Sequence, residues 1–180
     1  MNRHFFIGIK APTAIEETVV QLREKYKLPQ SYKVIPHLDD LHITLFFIGA
    51  LSEDRLPSLQ SMLQRTAENH ESFNLFVDGL SYFGLPKDPR VVYCSISPSD
   101  ELSDLQRTVA SNVKEAVGLE DKKPYTPHIT IAKKRNSDVG IQIEKEAIDI
   151  VPFQVDHFSL FTIHPSKNPK YEETITFQLR

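Results

Sequence analysis

Short apolar and aromatic runs recur along the chain, and each is bounded by turn-forming or charged residues. Runs of this length are typical of β-strands that bury one or both faces. They predict strands near His4–Ile9, Leu41–Ile48, Phe73–Tyr82, Arg90–Ile96, Pro127–Lys133, Val151–Ile163 and Glu173–Leu179, with a shorter extended piece at Ser31–Ile35.

Three other segments repeat their apolar residues every three or four positions, which is the period of an amphipathic helix. The first follows Pro12 and stops at Pro29, the second follows Ser52, and the third runs from Ser99 to Gly118. Serine before a helix and glycine just past its end are favourable capping residues. The predicted core-facing stripes are Ile15, Val19, Leu22 and Tyr26; Leu56, Leu59, Leu63 and Ala67; and Leu102, Leu105, Val109 and Val113.

The order of these elements predicts a mixed α+β fold. Turn-rich stretches at 84–89 and 165–169 each separate two strands, so both pairs are expected to be antiparallel hairpins. No flexible linker or low-complexity segment divides the chain. We therefore expect one domain over residues 1–180.

Composition narrows the function classes. The net charge of −3 excludes a strongly basic nucleic-acid-binding coat, although it leaves room for a local basic groove. The single cysteine, Cys94, cannot form an intrachain disulfide. No apolar run approaches the roughly 20 residues that span a bilayer, and residues 1–10 do not resemble a secretory signal. These features predict a cytoplasmic protein that neither spans nor binds a membrane.

One tetrapeptide pattern occurs twice, as His42-Ile43-Thr44-Leu45 and as His128-Ile129-Thr130-Ile131. Each copy falls within a predicted strand. Because side chains alternate across a strand, each histidine shares a face with its threonine, and the aliphatic residues take the other face. An imidazole and a hydroxyl about 7 Å apart on one face can bind one tetrahedral anion.

Two histidines also suit acid–base chemistry. Their ordinary pKa near 6.5 allows one ring to be neutral and the other protonated close to neutral pH. The neutral ring can take a proton from water, and the protonated ring can give one to a leaving oxygen. The threonine hydroxyls can donate to phosphate oxygens. Such a site needs no metal and no cofactor. The alternative is that a histidine in an aliphatic strand has a purely structural role.

These motifs and their flanks resemble the two-histidine phosphoesterase superfamily, and within it the bacterial RNA 2′,3′-cyclic phosphodiesterases, also called 2′-5′ RNA ligase-like proteins. The resemblance covers nearly the whole chain. The matching segments are residues 3–9, 41–49, 79–83, 89–93, 125–133 and the closing hairpin from Phe158 to Tyr171.

The resemblance implies a bilobal, pseudo-twofold fold in which two largely antiparallel sheets surround a central groove, with helices outside. It implies opening of a 2′,3′-cyclic phosphate to a 2′-phosphomonoester. His42 would then be the proton donor to the leaving 3′ oxygen and His128 the base for water, with Thr44 and Thr130 as phosphate-oxygen ligands. The residues alone do not order the two histidine roles.

Other residues are candidates for substrate contacts. Strict alternation places Phe46 on the face of His42 and Thr44, where the family often has lysine, so that it would either stack on a base or ribose or simply pack in the core. Tyr125 is a candidate wall of the groove. Residues 133–135 (Lys-Lys-Arg) would either guide a phosphodiester chain or form a solvated strand end.

The cluster His37, Asp39, Asp40 and His42 matches no standard zinc spacing, so no metal is expected. The expected substrates are RNA ends or small cyclic nucleotides, and the expected state is a monomer without an obligate protein partner. Two alternatives remain open. One is a non-catalytic nucleotide- or RNA-binding module built on the same groove, and the other is 2′-5′ RNA ligation.

Overall fold

The computed structural model describes residues 2–180 and contains nine strands and four α-helices in that range. The strands are β1 (Arg3–Lys10), β2 (Tyr32–Val34), β3 (His42–Leu51), β4 (Phe73–Leu85), β5 (Asp88–Ile96), β6 (His128–Arg135), β7 (Glu146–Val155), β8 (His157–Ile163) and β9 (Tyr171–Gln178). The helices are α1 (Glu16–Lys25), α2 (Leu28–Ser31), α3 (Leu56–Glu68) and α4 (Asp100–Val117).

Eight strands lie in the order β7-β4-β5-β6-β3-β1-β8-β9, and β2 pairs with β6. Every pairing is antiparallel, and the two halves meet where β3 and β6 pair at Ile43 and Ile129 alone. On either side of that contact the order matches, since β3, β1, β8 and β9 mirror β6, β5, β4 and β7. The expected α+β fold with pseudo-twofold halves is confirmed, and the pairing of β3 with β6 joins the two expected sheets into one nine-stranded sheet.

Helices α1, α3 and α4 form where their sequence pattern predicts, but α1 ends at Lys25 and not at Pro29, which lies in the first turn of the unpredicted helix α2. Ser99 caps α4 by accepting a hydrogen bond from the Leu102 backbone N–H at 3.1 Å, and Gly118 ends the helix in the left-handed conformation. Ser52 precedes a 3₁₀ turn that leads into α3, and its side chain makes no capping bond. The apolar stripes of α1, α3 and α4 join one buried cluster with the strands. No helix within residues 2–180 is long and apolar enough to cross a membrane.

The single strand expected at Val151–Ile163 was wrong. The structure has two strands there, β7 and β8, with Asp156 between them. They lie in different halves, since β7 pairs with β4 whereas β8 pairs with β1 and β9. Continuous apolar character does not reveal this break, because it carries no information about which partner each part pairs with.

Candidate active site

His42 is the first residue of β3, and its ring is fixed by two hydrogen bonds. Nδ1 donates to the backbone carbonyl of Asp40 at 2.7 Å, because a carbonyl can only accept. In the neutral ring the lone pair is therefore on Nε2, where it accepts from the Thr44 hydroxyl at 3.0 Å. The first motif thus places a proton-accepting nitrogen beside a hydroxyl.

His128 begins β6 and is held in the same way. Its Nδ1 donates to the backbone carbonyl of Thr126, again two residues earlier and again at 2.7 Å. This bond makes Nε2 the nitrogen that exchanges a proton in both rings. The repeated geometry follows from the repeated sequence, since each motif enters its strand from a preceding turn or loop.

The two histidines line adjoining recesses. One recess, of about 170 Å³, is lined by His42, Thr44, Thr130 and Phe47 among others. The other, of about 430 Å³, is lined by His128 and again by Thr44 and Phe47. Because the recesses share two residues, they form one groove between the motif strands. A larger concavity of about 890 Å³ lies elsewhere, along residues 69–76 and 97–104, and contains none of the motif residues.

Burial lowers the pKa of both rings. It brings the pKa of His42 to about 4, although the bond to the Asp40 carbonyl acts in the opposite direction. The positive charges that His128 and Lys133 can carry lower it further. Burial likewise lowers the pKa of His128, against the bond to Thr126. Both imidazoles are therefore neutral at pH 7.

Aromatic side chains pack against each imidazole. The ring centroids of Phe6 and His42 are 4.5 Å apart, and the ring of Tyr171 packs edge-on against His42 with a centroid distance of 5.2 Å. His128 contacts Phe83 edge-on at 5.0 Å and Tyr93 at 5.2 Å. This packing removes water from one side of each ring, which is the physical origin of the lowered pKa values.

Phe46 does not share the face of His42 and Thr44, so that expectation from alternation was wrong. It is 6% exposed, belongs to the core and borders only the recess of His128, whereas Phe47 is 62% exposed and lines both recesses. The reason is a β-bulge, since Thr44 pairs with Gly8 but Phe46 pairs with Ile7, which leaves Leu45 as an extra residue. The alternative that Phe46 packs in the core agrees with the structure.

Tyr125 lines the recess of His128 and connects the two motifs. Its hydroxyl donates to the backbone carbonyl of Thr44 at 2.9 Å. Burial raises the pKa of this hydroxyl well above its ordinary value, so it stays protonated. The segment before the second motif is thereby attached to the strand of the first.

The three basic residues after the second motif, at positions 133–135, lie in three different environments. Lys133 lines the recess of His42, and burial together with Lys134 and Lys170 lowers its pKa. Lys134 is exposed, with a left-handed φ of 59°. Arg135 donates to the backbone carbonyl of Ser31 at 3.2 Å and therefore supports the fold.

The acidic and histidine residues before the first motif do not converge on one point. Both carboxylate oxygens of Asp40 accept backbone N–H bonds, from Lys170 at 2.8 Å and from Tyr171 at 3.0 Å. His37 Nδ1 accepts from the Asp39 backbone N–H at 3.0 Å. Within residues 2–180, no group of three or more His, Cys, Asp or Glu side chains is placed to hold a metal ion.

Comparison with known proteins identifies the family. The family model for the 2′-5′ RNA ligase superfamily matches residues 11–166. A Bacillus subtilis protein named RNA 2′,3′-cyclic phosphodiesterase is 31% identical, covering 98% of this chain and 96% of the relative. The chain belongs to the 2′-5′ RNA ligase superfamily.

A Geobacillus stearothermophilus protein carries the same name and is 26% identical over 98% of this chain, which spans 57% of that relative. Among solved structures, Escherichia coli LigT complexed with 3′-AMP superposes with a TM-score of 0.83 at 22% identity, covering 99% of both chains. That likeness shows that the fold is shared.

Sequence reasoning missed several residues of this superfamily member's groove, including Phe47, Phe6, Tyr171 and Asp40. Phe47 was missed because the bulge reverses the alternation. Tyr171 and Asp40 are brought together only by a contact between residues 130 or more positions apart. The cluster of two aspartates and two histidines around Asp40 matched no zinc spacing, and nothing local identified the backbone partners of Asp40.

Proposed function

We propose that this protein hydrolyses the 2′,3′-cyclic phosphate of RNA ends or small nucleotides to a 2′-phosphomonoester. The observation that carries the proposal is the equivalence of two imidazoles on one groove, each with Nδ1 fixed by a carbonyl two residues earlier. The shared name of the Bacillus and Geobacillus relatives supports the choice of substrate. One buried cluster includes residues of both halves, so we propose that residues 1–180 act as a single two-lobed domain.

In the proposed reaction, His128 Nε2 takes a proton from water as the water oxygen forms a bond to phosphorus. The bond from phosphorus to the ribose 3′ oxygen breaks, and protonated His42 gives its Nε2 proton to that oxygen. Thr44 and Thr130 donate to the non-bridging oxygens, where negative charge is held in the transition state. The step balances with water as the only co-reactant.

The lowered pKa of His128 suits a general base, because the ring is neutral at pH 7. His42 needs a proton that burial opposes. A phosphodiester anion beside Nε2 favours the charged imidazolium and raises its pKa. Substrate binding and protonation of His42 are therefore coupled, and Thr44 then turns its hydroxyl from the ring to the phosphate.

Phe47 and Tyr125 are the proposed surfaces for the base or ribose. Phe47 presents an exposed ring at the border of the two recesses, and Tyr125 forms a fixed wall beside His128. Bases stack on such rings with little dependence on sequence. Phe46, which is buried behind this surface, supports it through packing.

The test is hydrolysis of nucleoside and oligonucleotide 2′,3′-cyclic phosphates with a chelator present, resolving 2′- from 3′-monoesters. His42→Ala and His128→Ala should each lower kcat by about 10²–10⁴-fold. The exposed His4 on β1 supplies a control, and His4→Ala should retain activity. Loss of activity with chelator, full activity in either motif variant, or a 3′-monoester product would contradict the proposal.

The same assay separates the two alternatives. A non-catalytic binding module would show nucleotide affinity without turnover. A ligase would join matched RNA ends faster than it hydrolyses them. Ligation is measured alongside hydrolysis because the superfamily is described by its 2′-5′ RNA ligases.

A further inference from the structure

A small third recess adjoins the His42 side of the groove. Its volume is about 60 Å³, and it is lined by His37, Lys133, Asn168 and Lys170 among others. It shares Lys133 and Tyr171 with the recess of His42. Because this recess is much smaller than the recesses of His42 and His128, it suits a small group such as one phosphate rather than a base.

The recess is rich in positive charge and donors. Lys133 and Lys170 are close enough that the charge of Lys170 lowers the pKa of Lys133. Neither lysine forms an ion pair in the part of the chain that the structure describes. His37 accepts at Nδ1, so its neutral ring carries a proton on Nε2 that it can donate. The two lysine charges outnumber the single carboxylate of Asp40 at this recess, and the net positive charge favours the binding of an anion.

The carboxylate of Asp40 also borders the recess, but its oxygens are engaged. They accept the backbone N–H groups of Lys170 and Tyr171. This contact fixes the β8–β9 loop beside the start of β3 and so determines where the backbone of Lys170 lies. The loop is held by Asp40, while the lysine amines remain available to a ligand.

The proposed chemistry indicates which anion reaches this position. In-line displacement puts water and the leaving 3′ oxygen on opposite sides of the phosphorus. With His128 on the water side, the ribose lies on the His42 side, next to the third recess. We propose that this recess binds the phosphodiester 5′ to the terminal ribose, so that the protein selects RNA ends over isolated nucleoside cyclic phosphates. This inference rests on the proposed function.

The test isolates the charge of that linkage. Two dinucleotides ending in a 2′,3′-cyclic phosphate are compared, one joined by a phosphodiester and the other by a neutral methylphosphonate. The unmodified protein should prefer the phosphodiester about tenfold in kcat/KM, the factor that 1.4 kcal/mol represents. Lys170→Gln should bring this ratio close to one.

Lys167→Gln is the matched control, because Lys167 lies in the same loop, is exposed and lines neither recess. It should keep the tenfold ratio. A ratio near one in the unmodified protein, or the same ratio after Lys170→Gln as before, overturns the inference while cyclic-phosphate hydrolysis itself stands.

A binding measurement makes the outcome independent of turnover. An RNA strand of about ten nucleotides that carries a terminal 2′-monophosphate is titrated at several salt concentrations, because the salt slope reports counterions released from a polymeric strand. Lys170→Gln should reduce the slope of log affinity against log salt by about 0.7, the contribution of one phosphate contact in a single strand. If no cyclic phosphate is hydrolysed, the proposed function fails, and an unchanged salt slope then rejects the recess as well.

Discussion

Leu45 and Ile131 are equivalent bulge residues, each one position after a motif threonine. In one half Thr44 pairs with Gly8 and Phe46 with Ile7, so Leu45 is extra. In the other half Thr130 pairs with Tyr93 and Ala132 with Val92, so Ile131 is extra. The bulges make the third residue after each threonine face the groove, and those residues are Phe47 and Lys133. At this pair of equivalent positions the groove therefore has an aromatic side chain from β3 and a cationic one from β6.

This relationship predicts that substitution of Phe47 affects substrate binding, whereas substitution of the adjacent Phe46 affects stability. Phe47→Ala should raise KM about 5- to 100-fold through lost stacking, with a change in the free energy of unfolding within about 0.5 kcal/mol. Phe46→Ala should lower the free energy of unfolding by about 3–5 kcal/mol, because Phe46 is buried. Urea denaturation and steady-state kinetics on both variants check the pair. The reverse assignment of the two effects would show that the bulge is misplaced.

The lowered pKa of His42 predicts a loss of stability in mild acid. Its pKa is about 4 in the folded protein and near 6.5 in the unfolded chain, so between these values only the unfolded chain takes up the proton. The contribution of the neutral His42 ring to the free energy of unfolding is complete above pH 6.5 and is lost as the pH falls towards 4. From pH 7 to pH 5 it amounts to about 2 kcal/mol.

Denaturant unfolding at the two pH values measures the effect. His42→Gln removes the titrating group, so its stability should fall about 2 kcal/mol less over that interval than that of the unmodified protein. Equal losses in the two proteins would mean that His42 titrates normally in the fold.

The same shifts predict the pH dependence of catalysis. The profile of kcat/KM reports the free enzyme, where the two pKa values are about 4 for His42 and below 6.5 for His128. Activity should therefore peak below pH 6.5, falling in acid as the base is protonated and above the peak as the acid loses its proton. The peak of kcat should lie at higher pH, because the bound phosphate raises the pKa of His42. Coincident profiles would contradict this coupling.

Asp40 should matter through the loop that it holds. Asp40→Asn replaces one accepting oxygen by an amide N–H that cannot accept from the backbone, which leaves one of the two loop bonds unmade. The expected loss in free energy of unfolding is about 1–3 kcal/mol. Asp39→Asn is the control, since that side chain is 61% exposed, and its change should stay within about 0.5 kcal/mol. Equal effects of the two variants would remove the role assigned to Asp40.

Much of the fold could be predicted from local pattern. Apolar runs located most of the strands, and the three- and four-residue period located α1, α3 and α4, because both signals depend on neighbouring residues alone. The polar segment that begins β7 at Glu146 was not predicted, since an edge strand needs few apolar residues. The paired motifs also identified both histidines and both threonines of the groove.

The sequence by itself determined the two strand motifs, because the identity and spacing of four residues fix which side chains share a strand face. Only the tertiary structure decided that Phe47, rather than Phe46, is exposed on the face of His42 and Thr44, since a bulge arises from pairing with a distant strand. It also decided that Asp40 binds the β8–β9 loop and that burial lowers both imidazole pKa values. Register and burial depend on contacts between residues far apart in the chain, and local patterns do not encode those contacts.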